Sequence, residues 1–174
     1  MLELLKPQKV FYYFEELTKI PHGSGNTKEI SDYCVQFAKE HQITYYQDAY
    51  NNVILVKEAT KGRENDAGVI IQGHLDMVAV KDAESTHDFT KDALPLAIKG
   101  DWVSSTNTSL GGDDGIAVAY ALAILSDNTI SHPHLEVILT VDEEVGMEGA
   151  TQIDLSMIKG KYLLNLDSEE EGVL

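Results

Sequence analysis

The amino-acid sequence predicts an α/β fold with a central, largely buried sheet. Three short apolar runs, VIIQG, LEVILTV and KYLLNL, have the length and composition of buried strands. Helical or loop segments separate these runs, which is the order expected when helices cover a sheet. Because ligands of such sheets gather at the carboxyl ends of the strands, a functional site is expected where each run ends.

Composition indicates a globular domain and restricts its partners. The chain has 174 residues, of which 43% are hydrophobic, enough for one ordinary domain with a core. Its 13 Lys and Arg against 29 Asp and Glu give a formal net charge of −16, which repels nucleic acid. No stretch reaches the roughly 18 apolar residues of a membrane span, and the start lacks a secretory pattern. We therefore expect a cytoplasmic protein that binds neither nucleic acid nor membrane.

Two helices are predicted at the start of the chain. Residues 8–19 carry apolar groups at helical spacing and stop before a proline. A second helix is predicted after Asn26, which forms a capping-box pattern with Glu29. Cys34, the single cysteine, falls on the apolar face of this helix and is predicted to be a core residue.

The remaining segments add strands and a buried helix. ITYYQD and NNVILVKE are predicted to be two strands joined by a turn at residues 49–52. AIKGDWVSS is predicted to be a short strand pair that turns at Gly100. TSLGGDDG is a glycine-rich loop, and it leads into IAVAYALAILSD, a helix too apolar for a surface position.

Each predicted core strand ends in side chains that can bind a metal ion, and the loop before the apolar helix supplies two more. In chain order these residues are His74, Asp76, Asp113, Asp114, Asp142, Glu143, Glu144 and Asp167. Carboxylates packed together oppose folding unless a cation balances them. A histidine among carboxylates suits zinc, and also manganese or cobalt. Their coincidence at strand ends predicts a metal site.

Each of these features also has a purely structural interpretation. A histidine at a strand end, such as His74, is by itself more often a hydrogen-bonded core residue than a ligand. The acidic run from Glu169 to Glu171 is typical of a solvated surface, and GGDDG alone is compatible with a simple turn. GGDDG fits neither a phosphate-binding P-loop nor an EF-hand. Only the joint occurrence of the features favours a metal site.

Four motifs, in this order, resemble the co-catalytic dizinc exopeptidases, a group of aminoacylases, deacylases and dipeptidases. They are GHLDMV, TSLGGDDGIAVA, LTVDEEVGMEGA and LNLDSEEEG. HDFTKD and DSEEEG resemble more narrowly the bacterial aminoacyl-histidine dipeptidases, also called peptidase D, and IPHGSGNTKEI and YNNVILVK fit that family too. The resemblance covers essentially the whole chain. It implies a three-layer, phosphorylase/hydrolase-like zinc exopeptidase domain with a central mixed sheet.

The resemblance implies a set of metal ligands. His74 and Asp167 would hold one zinc ion, Asp113 would bridge two ions, and Glu144 would bind the second. The peptide after Asp113 is often cis in this family. A second histidine ligand of the family lies near its C-terminus, and no histidine follows His134 here, so the chain would supply a half-site.

Two further residues would act beside the metal. Asp76 would hydrogen-bond the imidazole of His74 and fix its tautomer. Glu143 would be the general base in the hydrolysis of Xaa-His dipeptides, the substrates that the resemblance implies. Because neighbouring side chains of a strand point to opposite sides, we expect Glu144 to face the metal and Glu143 the substrate.

Members of this family are much longer than 174 residues. After the Asp167 segment they have a lid and dimerisation domain, through which they form homodimers, and then the rest of the catalytic domain. We therefore expect residues 1–174 to be the N-terminal portion of the catalytic domain, with exposed apolar surface and unpaired strand edges. Alone, the chain is expected to be weakly active or inactive.

Two other functions are left open by the sequence. One is another dizinc peptidase or deacylase of the same group, against which HDFTKD and DSEEEG argue. The other is a non-catalytic metal-binding or assembly partner that pairs with a second chain.

Overall fold

The computed structural model describes residues 1–167, and these residues form three helices and seven strands. In chain order the elements are α1 (Gln8–Leu17), α2 (Lys28–Glu40), β1 (Thr44–Gln47), β2 (Val53–Lys57), β3 (Val69–His74), β4 (Leu96–Lys99), β5 (Trp102–Ser105), α3 (Gly112–Ser126), β6 (Leu135–Thr140) and β7 (Tyr162–Asn165). The predicted order of helices and strands is confirmed. No helix in this part of the chain is long and apolar enough to cross a membrane.

Five of the strands form one mixed sheet in the order β1-β2-β6-β3-β7. β2 pairs antiparallel with β1 and β6, whereas β3 runs parallel to both β6 and β7. The three apolar runs singled out in the sequence are therefore adjacent, parallel strands. Their carboxyl ends lie at one edge of the sheet, where His74 stands opposite Thr140. The predicted α/β class with a central mixed sheet is confirmed.

The core lies between the helices and one face of this sheet. Leu55 of β2, Val137 of β6 and Leu122 of α3 are fully buried in one apolar cluster, to which α1 and α2 also contribute. α3 packs against both α1 and β3. Its sequence has no polar face, which is expected for a helix surrounded by other elements.

The opposite face of the sheet is covered by irregular chain. Gly160 lies so close to Ile70 and Glu136 that a side chain at this position would collide with both. The buried carboxylate of Glu136 accepts the N–H groups of Lys159 and Gly160 at 2.8 and 2.7 Å, and these bonds compensate for the burial of its charge. Residues 1–167 thus supply one helical layer of the three-layer arrangement that the resemblance implies.

β7 differs from the sequence-based expectation of a buried strand. Tyr162, Leu163 and Leu164 are 63%, 57% and 52% exposed. Within the described residues β7 pairs with β3 alone, at the edge of the sheet, so one side of the strand has no neighbour. The expectation of burial is wrong here, whereas the expectation of exposed apolar surface is confirmed.

The start of α2 also differs from the prediction. Its N-cap is Thr27, and no side-chain cap bond is present there. Asn26 instead belongs to the preceding turn, in which its N–H donates to the carbonyl oxygen of Gly23 at 2.8 Å. The capping box predicted from Asn26 and Glu29 is therefore wrong, because the turn places Asn26 one residue too early.

Cys34 gives a test of this packing. The side chain is fully buried, and burial raises the pKa of its thiol to about 12, so the thiol stays protonated at pH 8. We expect native protein to react very slowly with a thiol reagent such as DTNB at pH 8, and unfolded protein to release one equivalent rapidly. Rapid release of one equivalent from the native protein would show that α2 does not pack as described.

Candidate metal centre

The predicted ligands of the first metal ion meet at the imidazole of His74. His74 ends β3, Asp113 lies in the first turn of α3, and Asp167 follows β7. Nε2 of His74 is 3.0 Å from Oδ1 of Asp113 and 4.0 Å from Oδ2 of Asp167. The imidazole is buried, while the side chain of Asp113 is 70% exposed. Three segments that are distant in the sequence therefore place one nitrogen and two carboxylate oxygens together at the carboxyl end of the buried strand β3.

Glu143 and Glu144 approach the same histidine from another side. Ligand atoms of these two glutamates and of His74 lie within 4.8 Å of one another. The expectation that strand geometry would point the glutamates to opposite sides is wrong. β6 ends at Thr140, and Asp142 has a positive φ of 55°, so the chain has left the strand before it reaches the glutamates.

The local hydrogen bonds determine which nitrogen of His74 faces the carboxylates. Nδ1 lies 2.9 Å from the main-chain oxygen of Asp76 and 3.5 Å from its carboxylate oxygen Oδ1. A carbonyl oxygen only accepts, so Nδ1 carries a proton and donates it to Asp76. In the protonated ring Nε2 donates to Asp113, and loss of that proton leaves a lone pair that faces Asp113 and Asp167. The short hydrogen bond to the imidazole, which was expected from the carboxylate of Asp76, is thus made by the main-chain oxygen of Asp76.

The carboxylate of Asp76 is instead bound mainly by the segment that carries the glutamates. Oδ1 accepts the N–H of Glu143 at 3.0 Å, and Oδ2 accepts the N–H of Glu144 at 3.3 Å and the hydroxyl of Ser24 at 2.8 Å. Burial raises the pKa of Asp76, but hydrogen bonds from His74, Glu143 and Ser24 outweigh it and leave the pKa below its usual value. Asp76 therefore stays ionised and holds both glutamates near His74.

Asp114 supports the site from the buried side, through the main chain of His74. The peptide between Asp113 and Asp114 is cis, as the resemblance implies, and both residues have non-helical backbone angles. Asp114 is buried, and its Oδ2 accepts the N–H of His74 at 3.0 Å. Burial, with the negative charges of Asp167 and Asp113, raises the pKa of Asp114 to about 7. The side chain thus binds the backbone of His74 beneath the cluster.

Negative charge accumulates around the imidazole. Burial lowers the pKa of His74, but the carboxylates of Asp76, Asp114 and Asp113 raise it more, to about 10. Burial and the charge of Asp113 raise the pKa of Glu144 as well. Crowded carboxylates with shifted pKa values are characteristic of a site that binds a cation.

The donor set fits a zinc ion. Four ligands at zinc bond lengths of about 2.0–2.1 Å lie roughly 3.3 Å apart at the corners of a tetrahedron. The distances from Nε2 of His74, 3.0 Å to Asp113 and 4.0 Å to Asp167, bracket this value. One imidazole nitrogen and several carboxylate oxygens also match the ligand types that zinc, manganese and cobalt accept.

Three of the other histidines lie beside this site or at the far end of the sheet. His22 is buried, donates from Nδ1 to the main chain of Ile20 at 2.6 Å and lies close enough to Asp76 and His74 to feel their charges. His132 and His134 flank Pro133 at the start of β6; His132 is buried, and His134 is bound between Glu58 and Glu136.

Two segments of the sequence analysis stand apart from the cluster. His87 of HDFTKD packs its ring against Phe89 and belongs to neither group of metal-competent residues. The acidic run from Glu169 to Glu171 lies outside the described residues. Ser24, which sequence reasoning did not single out as part of the site, lies in the IPHGSGNTKEI segment quoted for the resemblance.

Comparisons with known proteins agree with the motifs. No family model matches the chain. It is 42% identical over 171 residues to the cytosol non-specific dipeptidase of Escherichia coli, covering 98% of this chain and 35% of that protein. The crystal structure of aminoacylhistidine dipeptidase from Vibrio alginolyticus superimposes with a TM-score of 0.95 at 41% identity, covering 99% of this chain and 35% of that one.

The chain matches the N-terminal part of the aminoacyl-histidine dipeptidases. It spans about a third of the length of these relatives. A tripeptidase from Staphylococcus aureus shares the fold, with a TM-score of 0.78 at 20% identity over 95% of this chain and 44% of that one. The resemblance inferred from the motifs is therefore confirmed for this part of the aminoacyl-histidine dipeptidases.

Gly73 tests the support beneath His74. A Cβ atom at this position would lie 2.5 Å from Oδ2 of Asp114, the atom that accepts the N–H of His74. We expect Gly73→Ala to lower the free energy of unfolding by about 1–3 kcal/mol through this overpacking, measured by urea denaturation. Gly112→Ala is the control, because its nearest contact would be an ordinary 3.7 Å from Leu110. Equal stability of the two variants would contradict the close contact.

Proposed function

We propose that this chain is the N-terminal portion of the catalytic domain of a zinc-dependent dipeptidase that hydrolyses Xaa-His dipeptides. The observation that carries the proposal is the position of Nε2 of His74, which lies 3.0 Å from Asp113 and 4.0 Å from Asp167, two carboxylates from other segments. The similarity to a dipeptidase of Escherichia coli and to an aminoacylhistidine dipeptidase of Vibrio alginolyticus supports the reaction and the substrate class.

In this proposal the metal ligands divide into two sets. His74, Asp113 and Asp167 would hold one zinc ion, and their mutual distances support this set. Asp113, whose side chain is exposed, and Glu144 would be the ligands of this chain to a second ion. Two zinc ions, when bound, lower the pKa of a shared water and polarise the scissile carbonyl. Manganese or cobalt would satisfy the same ligand types.

Glu143 is the proposed general base. It accepts the proton of the attacking water and returns it to the amine that leaves when the peptide bond breaks. Its main-chain N–H is bound by Asp76, which limits the directions in which the carboxylate can point. Asp76 is thus proposed to act twice, through its carbonyl oxygen on His74 and through its carboxylate on the two glutamates.

We propose the complete activity only for a longer protein, in which these residues form the N-terminal portion of the catalytic domain. By resemblance, a lid and dimerisation domain and the rest of the catalytic domain would follow, with a second histidine ligand and a homodimer interface. The E. coli relative is named a cytosol dipeptidase, which supports a cytoplasmic location for this chain too. We expect the purified 174-residue chain with zinc to hydrolyse Ala-His far below 1 s⁻¹, the lower end of typical enzyme turnover. Turnover at typical rates would contradict the half-site.

Removal of His74 tests the metal centre directly. We expect His74→Ala to weaken zinc binding at least about 100-fold, measured by competition with a chromophoric chelator, because it removes the only nitrogen ligand of the cluster among the described residues. His41→Ala is the control, since His41 is an exposed residue at the end of α2. Equal zinc affinities of the two variants would rule out the centre.

The same measurement of zinc affinity distinguishes the roles proposed for Glu143 and Glu144. We expect Glu144→Gln to weaken zinc binding at least about tenfold, because it removes a ligand oxygen. Glu143→Gln should leave the affinity nearly unchanged, because the proposed base contacts the water rather than the ion. Both glutamates have a carboxylate oxygen within 4.8 Å of His74, so a loss confined to Glu143→Gln would reverse the two roles.

A further inference from the structure

The segment that carries the glutamates is a closed loop rather than an extension of β6. We call residues 141–149 the acidic loop. At its neck the N–H of Gly149 donates to the carbonyl oxygen of Val141 at 3.0 Å. At its tip the N–H of Met147 donates to the carbonyl oxygen of Glu143 at 2.9 Å. The positions of both glutamates therefore depend on how the two ends of this loop are held.

Asn52 binds both ends of the acidic loop. The side chain is 1% exposed; its Oδ1 accepts the N–H of Val141 at 3.1 Å, and its Nδ2 donates to the carbonyl oxygen of Gly149 at 3.0 Å. The sheet brings it there, because β2 begins at the next residue, Val53, which pairs with Leu139 near the end of β6. Donor and acceptor of a single amide thus bridge the neck.

Asp48 fixes the orientation of this amide. Oδ2 of Asp48 accepts a second bond from Nδ2 of Asn52 at 2.7 Å, and Oδ1 accepts the main-chain N–H of Asn52 at 2.9 Å. A flipped amide would turn its oxygen towards the carboxylate of Asp48 and the carbonyl of Gly149, both of which only accept. The site therefore requires an amide, and an amide in this orientation.

Gly149 makes the neck too tight for a side chain. A Cβ atom at this position would collide with the carbonyl oxygen of Val141 and lie 2.6 Å from Oδ1 of Asn52. Two other segments hold the loop further along, since Asp76 binds the glutamate N–H groups and the N–H of Gly25 donates to Oδ1 of Asp142 at 2.7 Å. At the base of the loop, the side chain of Asn52 bonds to both ends, beside the direct bond from the N–H of Gly149 to Val141.

We propose that Asn52 is a positioning residue for the metal centre, which acts by clamping the neck of the acidic loop so that Glu143 and Glu144 face His74. The proposal rests on the proposed function and adds to it a residue outside the four metal motifs. Asn52 contacts neither the predicted ligands nor the base, so its effect must pass through the main chain of Val141 and Gly149.

The test compares Asn52→Asp with a matched control at the same turn. Asn52→Asp keeps the shape but places an acceptor where Nδ2 donates to Asp48 and Gly149. Ser31→Ala is the control, because the fully buried Ser31 hydroxyl donates to the main chain of the adjacent Asn51 at 2.7 Å. Each variant removes two hydrogen bonds near the turn, and only the first touches the acidic loop.

Two readouts are taken on the purified chain, amide hydrogen exchange of residues 141–149 and zinc affinity. We expect Asn52→Asp to speed exchange at Val141 and Gly149 at least tenfold and to weaken zinc binding at least tenfold. Ser31→Ala should change neither, although it lowers the midpoint of urea unfolding. Faster exchange with unchanged zinc affinity would reduce Asn52 to a purely structural residue and overturn the proposal, as would unchanged exchange.

Two further measurements keep the test decisive. If Asn52→Asp does not fold, Gly149→Ala disturbs the same neck from the loop side and should show the same pair of effects. In the wild-type protein the amide of Val141 should exchange far more slowly than that of Val145 in the exposed middle of the loop, and equal rates would overturn the clamp. If the wild-type chain binds no zinc, the proposed function is contradicted, and Asn52 then has no metal centre to position. Amide hydrogen exchange of residues 141–149 still shows separately whether Asn52 holds the neck of the acidic loop.

Discussion

The candidate site depends on one hydrogen bond, from Nδ1 of His74 to the main-chain oxygen of Asp76. This bond engages the proton on Nδ1 and directs the other nitrogen, Nε2, at the carboxylates, where a cation that displaces the proton on Nε2 can bind it. The turn from His74 to Asp76 at the end of β3 therefore determines what the cluster can bind.

The same turn determines where the rest of the centre lies. The carboxylate of Asp76 is held by the main chain of Glu143 and Glu144, and Asn52 closes the loop that carries them. These contacts join β3, the β1–β2 turn and the loop after β6 into one frame. Residues that hydrogen-bond to metal ligands fix the orientation of those ligands. Their loss weakens metal binding substantially, even though they do not touch the ion.

β7 has the opposite character, since it delivers a ligand while remaining exposed itself. Its position depends on parallel pairing with β3, in which Asn165 stands opposite Gln72, and Asp167 follows two residues later. The N–H of Asp167 donates to the side chain of Asn165 at 3.0 Å, which links the ligand to the paired strand. An apolar strand with a free edge readily accepts a further strand. Within residues 1–167, the position of Asp167 thus rests on the pairing of β7 with β3.

The sequence by itself determined the elements and the identity of the candidate ligands. Apolar runs predicted β3, β6 and β7, and the residues after them, such as His74 and Asp167, are those that the structure brings together. Such predictions succeed because hydrophobic periodicity is a local property of the chain. Tertiary structure alone decided which atoms of these residues lie close enough to form the candidate site. The glutamates share one side because the backbone turns at Asp142, and the turn is held by Asn52, whose partner Gly149 is 97 residues away. No local pattern encodes a contact over that separation.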